Sequence, residues 1–144
     1  MKRLLAAQTP TERLSKVVLT IGNFDGLHLG HREIISRVVR ESQSNGSKSV
    51  VVTFDPHPRS FLFPDKPFSP LFSRDDLGQQ LEKYGVDYFV IVPFGLAISR
   101  QEPKEFYEET ILKPFRPSAL IVGYDFSFGA GRRGTHEVLK KLCL

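Results

Sequence analysis

The apolar residues of this chain gather into short β-branched blocks separated by stretches with helical period. Val17-Val18-Leu19-Thr20-Ile21 is apolar on both faces, the pattern of a strand buried inside a parallel sheet. Val50-Val51-Val52-Thr53-Phe54, Tyr88 to Val92 and Ala119 to Val122 read the same way. From about Leu29 a helix is predicted, with Ile34, Ile35, Val38 and Val39 on one face and Arg32, Glu33, Arg37, Arg40 and Glu41 elsewhere. Asp75 to Tyr84 predicts a second helix with Gly85 as its C-cap. Pro103 opens a third, through Phe106 and Tyr107 to about Leu112, and Thr135 caps a last one to Leu144. Ser42 to Ser49 reads as a polar turn. Asp55 to Pro70, rich in Pro and Phe, reads as a long loop of the kind that carries function.

Strand and helix alternate, so the predicted fold is α/β, a doubly wound parallel sheet with right-handed crossovers. Ligands in such sheets bind beyond the carboxyl ends of the strands. The segments after the first, second and fourth of these strands all emerge at that edge, and the topology alone brings them to one cleft.

The first of these segments is the most informative. Gly22-Asn23-Phe24-Asp25-Gly26-Leu27-His28-Leu29-Gly30-His31 is a glycine-punctuated turn that leaves a strand and opens a helix. The unpaired N–H groups of a helix start and the positive end of its dipole favour a phosphate, and Gly30 leaves room for close approach. His28 and His31, three residues apart, are placed to donate to the same phosphate chain. A zinc pair is the competing reading, but no closing Cys or His cluster accompanies them.

Composition narrows the function classes. At 144 residues the chain makes one ordinary domain, 40% apolar and 25% charged. A formal charge of +4, scattered rather than striped, suits anionic small molecules better than nucleic acid. Cys143 is the only cysteine and forms no internal disulfide, so a reducing compartment, the cytoplasm, is expected. Met1 to Ala7 opens like a signal peptide, yet Gln8, Thr9 and Pro10 end the apolar run too early, and no membrane-spanning stretch follows.

Three motifs carry a resemblance: Gly22 to His31, then Thr53-Phe54-Asp55-Pro56-His57-Pro58, then Gly123-Tyr124-Asp125-Phe126-Ser127-Phe128-Gly129-Ala130-Gly131-Arg132-Arg133-Gly134. In this order they resemble the FMN adenylyltransferase module of the bacterial bifunctional riboflavin kinase/FAD synthetases, within the nucleotidylyltransferase superfamily. The resemblance implies a Rossmann-like fold and transfer of AMP from ATP to FMN, giving FAD and pyrophosphate with Mg²⁺. It implies small-molecule partners only, with neither nucleic acid nor membrane. On it, His28, His31 and Asn23 are the catalytic candidates, and Gly22, Phe24, Asp25 and Gly30 the ATP and phosphate side. Pro56, His57, Pro58, Asp125, Phe126, Phe128 and Arg132 make the flavin side, with Arg132 as the phosphate fork and Arg133 as an alternative donor. Phe61, Phe63, Phe68 and Phe72 are further candidates to cover a flat ring. Mg²⁺ is expected to ride on substrate phosphates, without direct protein ligands.

The resembled family continues with a further strand and an Ile-Ser-Ser-Thr-x-x-Arg segment, a second grip on ATP. Ile98-Ser99-Arg100 is the nearest text and lies elsewhere in the order. The expectation is therefore one nucleotidylyltransferase domain over residues 1–144 that lacks its C-terminal part, with the riboflavin kinase domain of the family absent. Two other readings stay open: a nucleotidylyltransferase for another phosphorylated substrate, and a flavin-nucleotide binding module without catalysis.

Overall fold

The computed structural model describes residues 1–5, 16–66, 73–124 and 126–143. Its centre is a five-stranded parallel sheet of β1 (Lys2–Leu5), β2 (Val17–Ile21), β3 (Lys48–Asp55), β4 (Tyr88–Pro93) and β5 (Ala119–Leu120), in the order β1-β4-β3-β2-β5. The chain steps from β2 through β3 to β4 in one direction, then returns to lay β5 on the other side of β2. The order therefore reverses between β2 and β5, and the crevice at that reversal is where doubly wound sheets bind ligands. All five residues of β2 are buried, as a strand flanked on both sides and covered on both faces requires.

Helix α1 (Leu29–Asn45) buries Ile35, Val38, Val39 and Ser42 on one stripe and ends at Gly46, whose φ of 71° the left-handed C-cap requires. Between β3 and β4 run α2 (Pro58–Leu62) and α3 (Arg74–Tyr84). Ser73 and Asp76 close a reciprocal capping box on α3, and Gly85 caps its end. After β4 come α4 (Leu96–Ser99), α5 (Pro103–Phe106), a π turn over Tyr107–Leu112 and α6 (Lys113–Phe115). Pro114 has no N–H to give to the previous turn and crowds its carbonyl, so widening the ladder to π spacing just ahead of it avoids the conflict. A final helix, α7 (His136–Cys143), follows the loop after β5.

Two apolar clusters sandwich the sheet. One joins Phe24, Leu27, Ile35, Val39, Val51 and Phe89 with Leu77 and Leu81 of α3. The other sets Leu19, Ile21, Val52, Phe54, Val90 and Val92 against Phe106, Ile111, Phe115 and Leu139. Strand alternation sorts neighbours onto the two faces, which is why every second residue of β2 and β3 belongs to the same cluster. Burial pushes the phenol of Tyr107 up to about 12, helped by its hydrogen-bond neighbour Cys143.

One sequence expectation needs correction, and one element was not foreseen. The segment Asp55 to Pro70 is not structureless: Pro58 sits at the first position of α2, whose turn His57 caps. The first residues form strand β1, a short edge strand whose Lys-Arg-Leu-Leu text has no strand periodicity. No helix among the described residues is long and apolar enough to cross a membrane.

Candidate active site

The turn after β2 packs against itself. Gly22 donates its N–H to the carbonyl of Val52 at 3.0 Å, extending the β2–β3 ladder by one residue. Phe24 and Leu27, both 2% exposed, take positive φ values of 51° and 43°. Such backbone is unfavourable for residues other than glycine and is held here by burial of both side chains. The ring of Phe24 lies so close to Gly22 that a Cβ there would stand 3.2 Å from it. Phe24 is thus a wall of the core cluster, set edge-on to His31 at 5.3 Å. Asn23 is exposed, and its carbonyl accepts from the buried Thr53 hydroxyl at 3.3 Å. Asp25 lies in the single 3₁₀ turn Asp25–Leu27.

His28 is the N-cap of α1. Its Nδ1 accepts from the N–H groups of Gly30 at 3.1 Å and His31 at 3.4 Å. A nitrogen that accepts two hydrogen bonds carries no proton, so the ring hydrogen sits on Nε2. The imidazoles of His28 and His31 stack with centroids 3.5 Å apart and planes 24° off parallel. Gly30 makes this possible, because a Cβ on it would lie 3.0 Å from Cε1 of His28. The room that glycine was expected to leave for a ligand is occupied by the His28 ring. The first-turn amides of Gly30 and His31 act through that ring, and amides donating to Nδ1 polarise the opposite N–H.

At the end of β3, His57 caps α2 with Nδ1 accepting from Arg59 N–H at 3.0 Å, flanked by the exposed Pro56 and half-buried Pro58. Arg74, at the start of α3, donates to the carbonyl of Phe54 and stands 3.6 Å from the Asp55 carboxylate. The loop after β5 is pinned to α7 by His136, whose Nε2 lies 2.7 Å from the carbonyl of Gly123. Phe128 and Gly134 form an antiparallel bridge. There is no space for a side chain at 134, since a Cβ would lie 2.6 Å from the carbonyl oxygen of Phe128. Arg132 is exposed, at φ 56°, with Nε donating to the Ser127 hydroxyl at 2.8 Å. Asp125, Phe68 and Phe72 lie outside the described residues.

A row of rings joins the second and third motifs. Phe61, Phe94, Phe54, Phe106, Phe128 and Phe126 follow one another with centroids 5.6 to 6.1 Å apart. Phe54 and Phe94 leave the carboxyl ends of β3 and β4, so the row runs along the edge of the sheet where the motifs emerge. Phe126 and Phe128 stack with planes 14° apart. Sequence reasoning missed Phe54, Phe94 and Phe106 as parts of this row. The signal available was a phenylalanine at or just beyond the end of two successive strands. Phe63, by contrast, is half-exposed, with Lys66 over its ring.

The chain was compared with known proteins. Residues 10–144 match the family described as FAD synthetase. A bifunctional riboflavin kinase/FMN adenylyltransferase of Escherichia coli (strain K12) is 36% identical over 124 residues, covering 86% of this chain and 40% of that protein. The protein of the same description from Bacillus subtilis (strain 168) is 30% identical over 129 residues, covering 89% of this chain and 40% of its own length. The chain thus spans about two-fifths of the length of these relatives. Among solved structures, one described as a macrolide-efflux protein from Streptococcus pneumoniae superposes with a TM-score of 0.82 at 23% identity, over 99% of this chain and 47% of that one. At that identity it speaks for the fold alone.

Proposed function

The chain belongs to the FAD synthetase family, and from that premise we propose that it transfers the AMP moiety of ATP to FMN, releasing FAD and pyrophosphate. A phosphate oxygen of FMN attacks the α-phosphorus. The new O–P bond forms as the bond to the β-phosphate bridge breaks, and no covalent enzyme intermediate is required. Charge builds on the α-phosphoryl oxygens and on the leaving pyrophosphate, so the protein contributes position and donors.

The observation that carries this reading is the stacked pair of His28 and His31 over the start of α1, beside the reversal between β2 and β5. His28, its Nδ1 satisfied, offers Nε2–H to phosphate oxygen. His31, backed by Phe24, offers the second donor, and Asn23, with Asp25 beside it in sequence, orients the phosphates. Gly22 and Gly30 let the Phe24 and His28 rings take these places. On the flavin side, Pro56-His57-Pro58, Asp125, Phe126 and Phe128 border the ring, and Arg132 takes the FMN phosphate. The donors at the helix start are imidazole and amide N–H, which suit phosphate rather than a hard cation. Among the described residues no three His, Cys, Asp or Glu side chains gather to hold a metal. We assign Mg²⁺ to the ATP phosphates, where this cation keeps several of its waters. We assign residues 1–144 to one adenylyltransferase domain and place the reaction in the cytoplasm.

The test is incubation of the chain with ATP, Mg²⁺ and either FMN or riboflavin, scored for FAD and pyrophosphate by chromatography. FAD and pyrophosphate in equal amounts from FMN, and neither from riboflavin, is the expected result. FMN binding with no FAD would replace the enzyme with a flavin-nucleotide binding module.

A further inference from the structure

We propose that Gln101-Glu102-Pro103, the corner between α4 and α5, is a clamp for the loop after β5, with Glu102 a positioning residue that aims Arg132 at the FMN phosphate. The proposal rests on the function proposed above. Three contacts of different kinds meet at this corner. The N–H of Ala130 donates to the carbonyl of Gln101 at 2.7 Å. The guanidinium of Arg133 reaches Glu102 at 2.6 Å. Gly129, at φ 76°, comes so near Pro103 that a Cβ would lie 2.9 Å from its nitrogen.

The loop needs such a hold. Gly129, Gly131 and Arg132 all carry left-handed backbone, and at Arg132 that conformation is paid by a residue with a side chain. The two arginines are also divided in role. Arg133 is committed, with Nε on the carbonyl of Ala130 and its terminal nitrogen on Glu102. Arg132 keeps only Nε engaged, on Ser127, among the described residues. Its terminal nitrogens are left for a bidentate oxyanion. The corner thereby settles which of two adjacent arginines serves the ligand, and sequence alone leaves that choice open. Because Glu102 and Arg133 are both more than half exposed, the pair is weak and sensitive to salt.

The experiment titrates FMN and riboflavin, by flavin fluorescence, into the full chain, Glu102→Ala and the exchanged pair Glu102→Arg/Arg133→Glu, with amide hydrogen exchange on each. Glu102→Ala is expected to weaken FMN about threefold while leaving riboflavin, which has no phosphate, unchanged. Exchange at Ala130 and Gly134 should quicken, and the exchanged pair should restore both quantities. Equal weakening of both flavins would reduce Glu102 to a structural residue, and unchanged FMN affinity would remove the positioning role. If the unaltered chain binds no flavin at all, the proposed reaction falls. Exchange at Ala130 then decides the clamp by itself, with unchanged protection in Glu102→Ala overturning it.

Discussion

The turn after β2 and the loop after β5 leave the carboxyl ends of two neighbouring parallel strands and differ in where their supports come from. The donors of the first are fixed by near neighbours, with His28 capping its own helix, Phe24 lying on Gly22 and Arg32 Nε holding the carbonyl of Leu27 at 2.9 Å, while Val52 and Thr53 tie its foot to the central sheet. The second closes on itself through the Phe128 to Gly134 bridge and short turn bonds such as Arg132 Nε on Ser127, and it is tied in addition to His136 at the start of α7 and to the remote corner at Gln101 to Pro103. A turn anchored on the central sheet and capping its own helix keeps its donors in place as long as that core stands. A loop held from outside can be retuned by residues that never meet the ligand.

Removing His28 breaks the contrast most severely. His28→Ala, and His31→Ala beside it, should each lower turnover by about 10²–10³, the scale for loss of one transition-state donor, with FMN affinity largely kept. Steady-state kinetics paired with flavin fluorescence reads both quantities, and a matching fall in FMN affinity would contradict the assignment. Gly134→Ala strikes the other region. Its Cβ cannot coexist with the Phe128 carbonyl, so urea denaturation should show a loss of about 2 kcal/mol together with weakened FMN binding. Gly30→Ala sharpens the comparison because its two effects oppose. Alanine in the first turn of α1 gains at most about 1 kcal/mol of helix propensity, while its Cβ displaces the His28 ring and with it the cap, a loss of similar size, so Tm should change little while turnover drops about tenfold. An equal fall in both would mean that Gly30 serves only the backbone.

The smallest effect concerns alkaline stability. The Tyr107 phenol, on the π turn beyond the corner, is raised from its ordinary 10 to about 12. The unfolded chain therefore releases this proton first, and the fold keeps its full stability below pH 10 and loses some of it as pH climbs toward 12. Tyr107→Phe should flatten that decline in denaturation curves recorded across this range, while leaving the turn after β2 untouched.

The same contrast explains what the sequence made legible. Val17–Ile21 was readable to the residue, because a central strand is apolar on both faces and its neighbours cannot alter that. The start of α1 near Leu29, Gly85 as a C-cap and Pro103 at a helix start follow from local chemistry and stand as expected. The doubly wound order followed from alternation of strand and helix. The misses are contacts between residues far apart in sequence or ring positions that no spacing encodes. His28 was read as a donor toward phosphate, but its second role as acceptor for Gly30 and His31 depends on the angle of its ring. Helix α2 was hidden by the prolines around His57, one of which begins it. Glu102 and Arg133 are ordinary surface charges until folding brings them together.

Strand β1 carries one more consequence, for the moment of synthesis. Among the described residues its sheet neighbour is β4, with Lys2 opposite Tyr88 and Leu5 opposite Ile91. β1 is made before β4, so it must wait for this partner until β2, α1, β3 and α3 have followed it out of the ribosome. Through that interval the backbone of β1 has no ladder to join, and an open strand edge invites the wrong neighbour. Two charges in the four residues Lys-Arg-Leu-Leu weaken the drive of such a segment to pair wrongly, and the same weak hydrophobic signature hides this strand from a reader of the sequence.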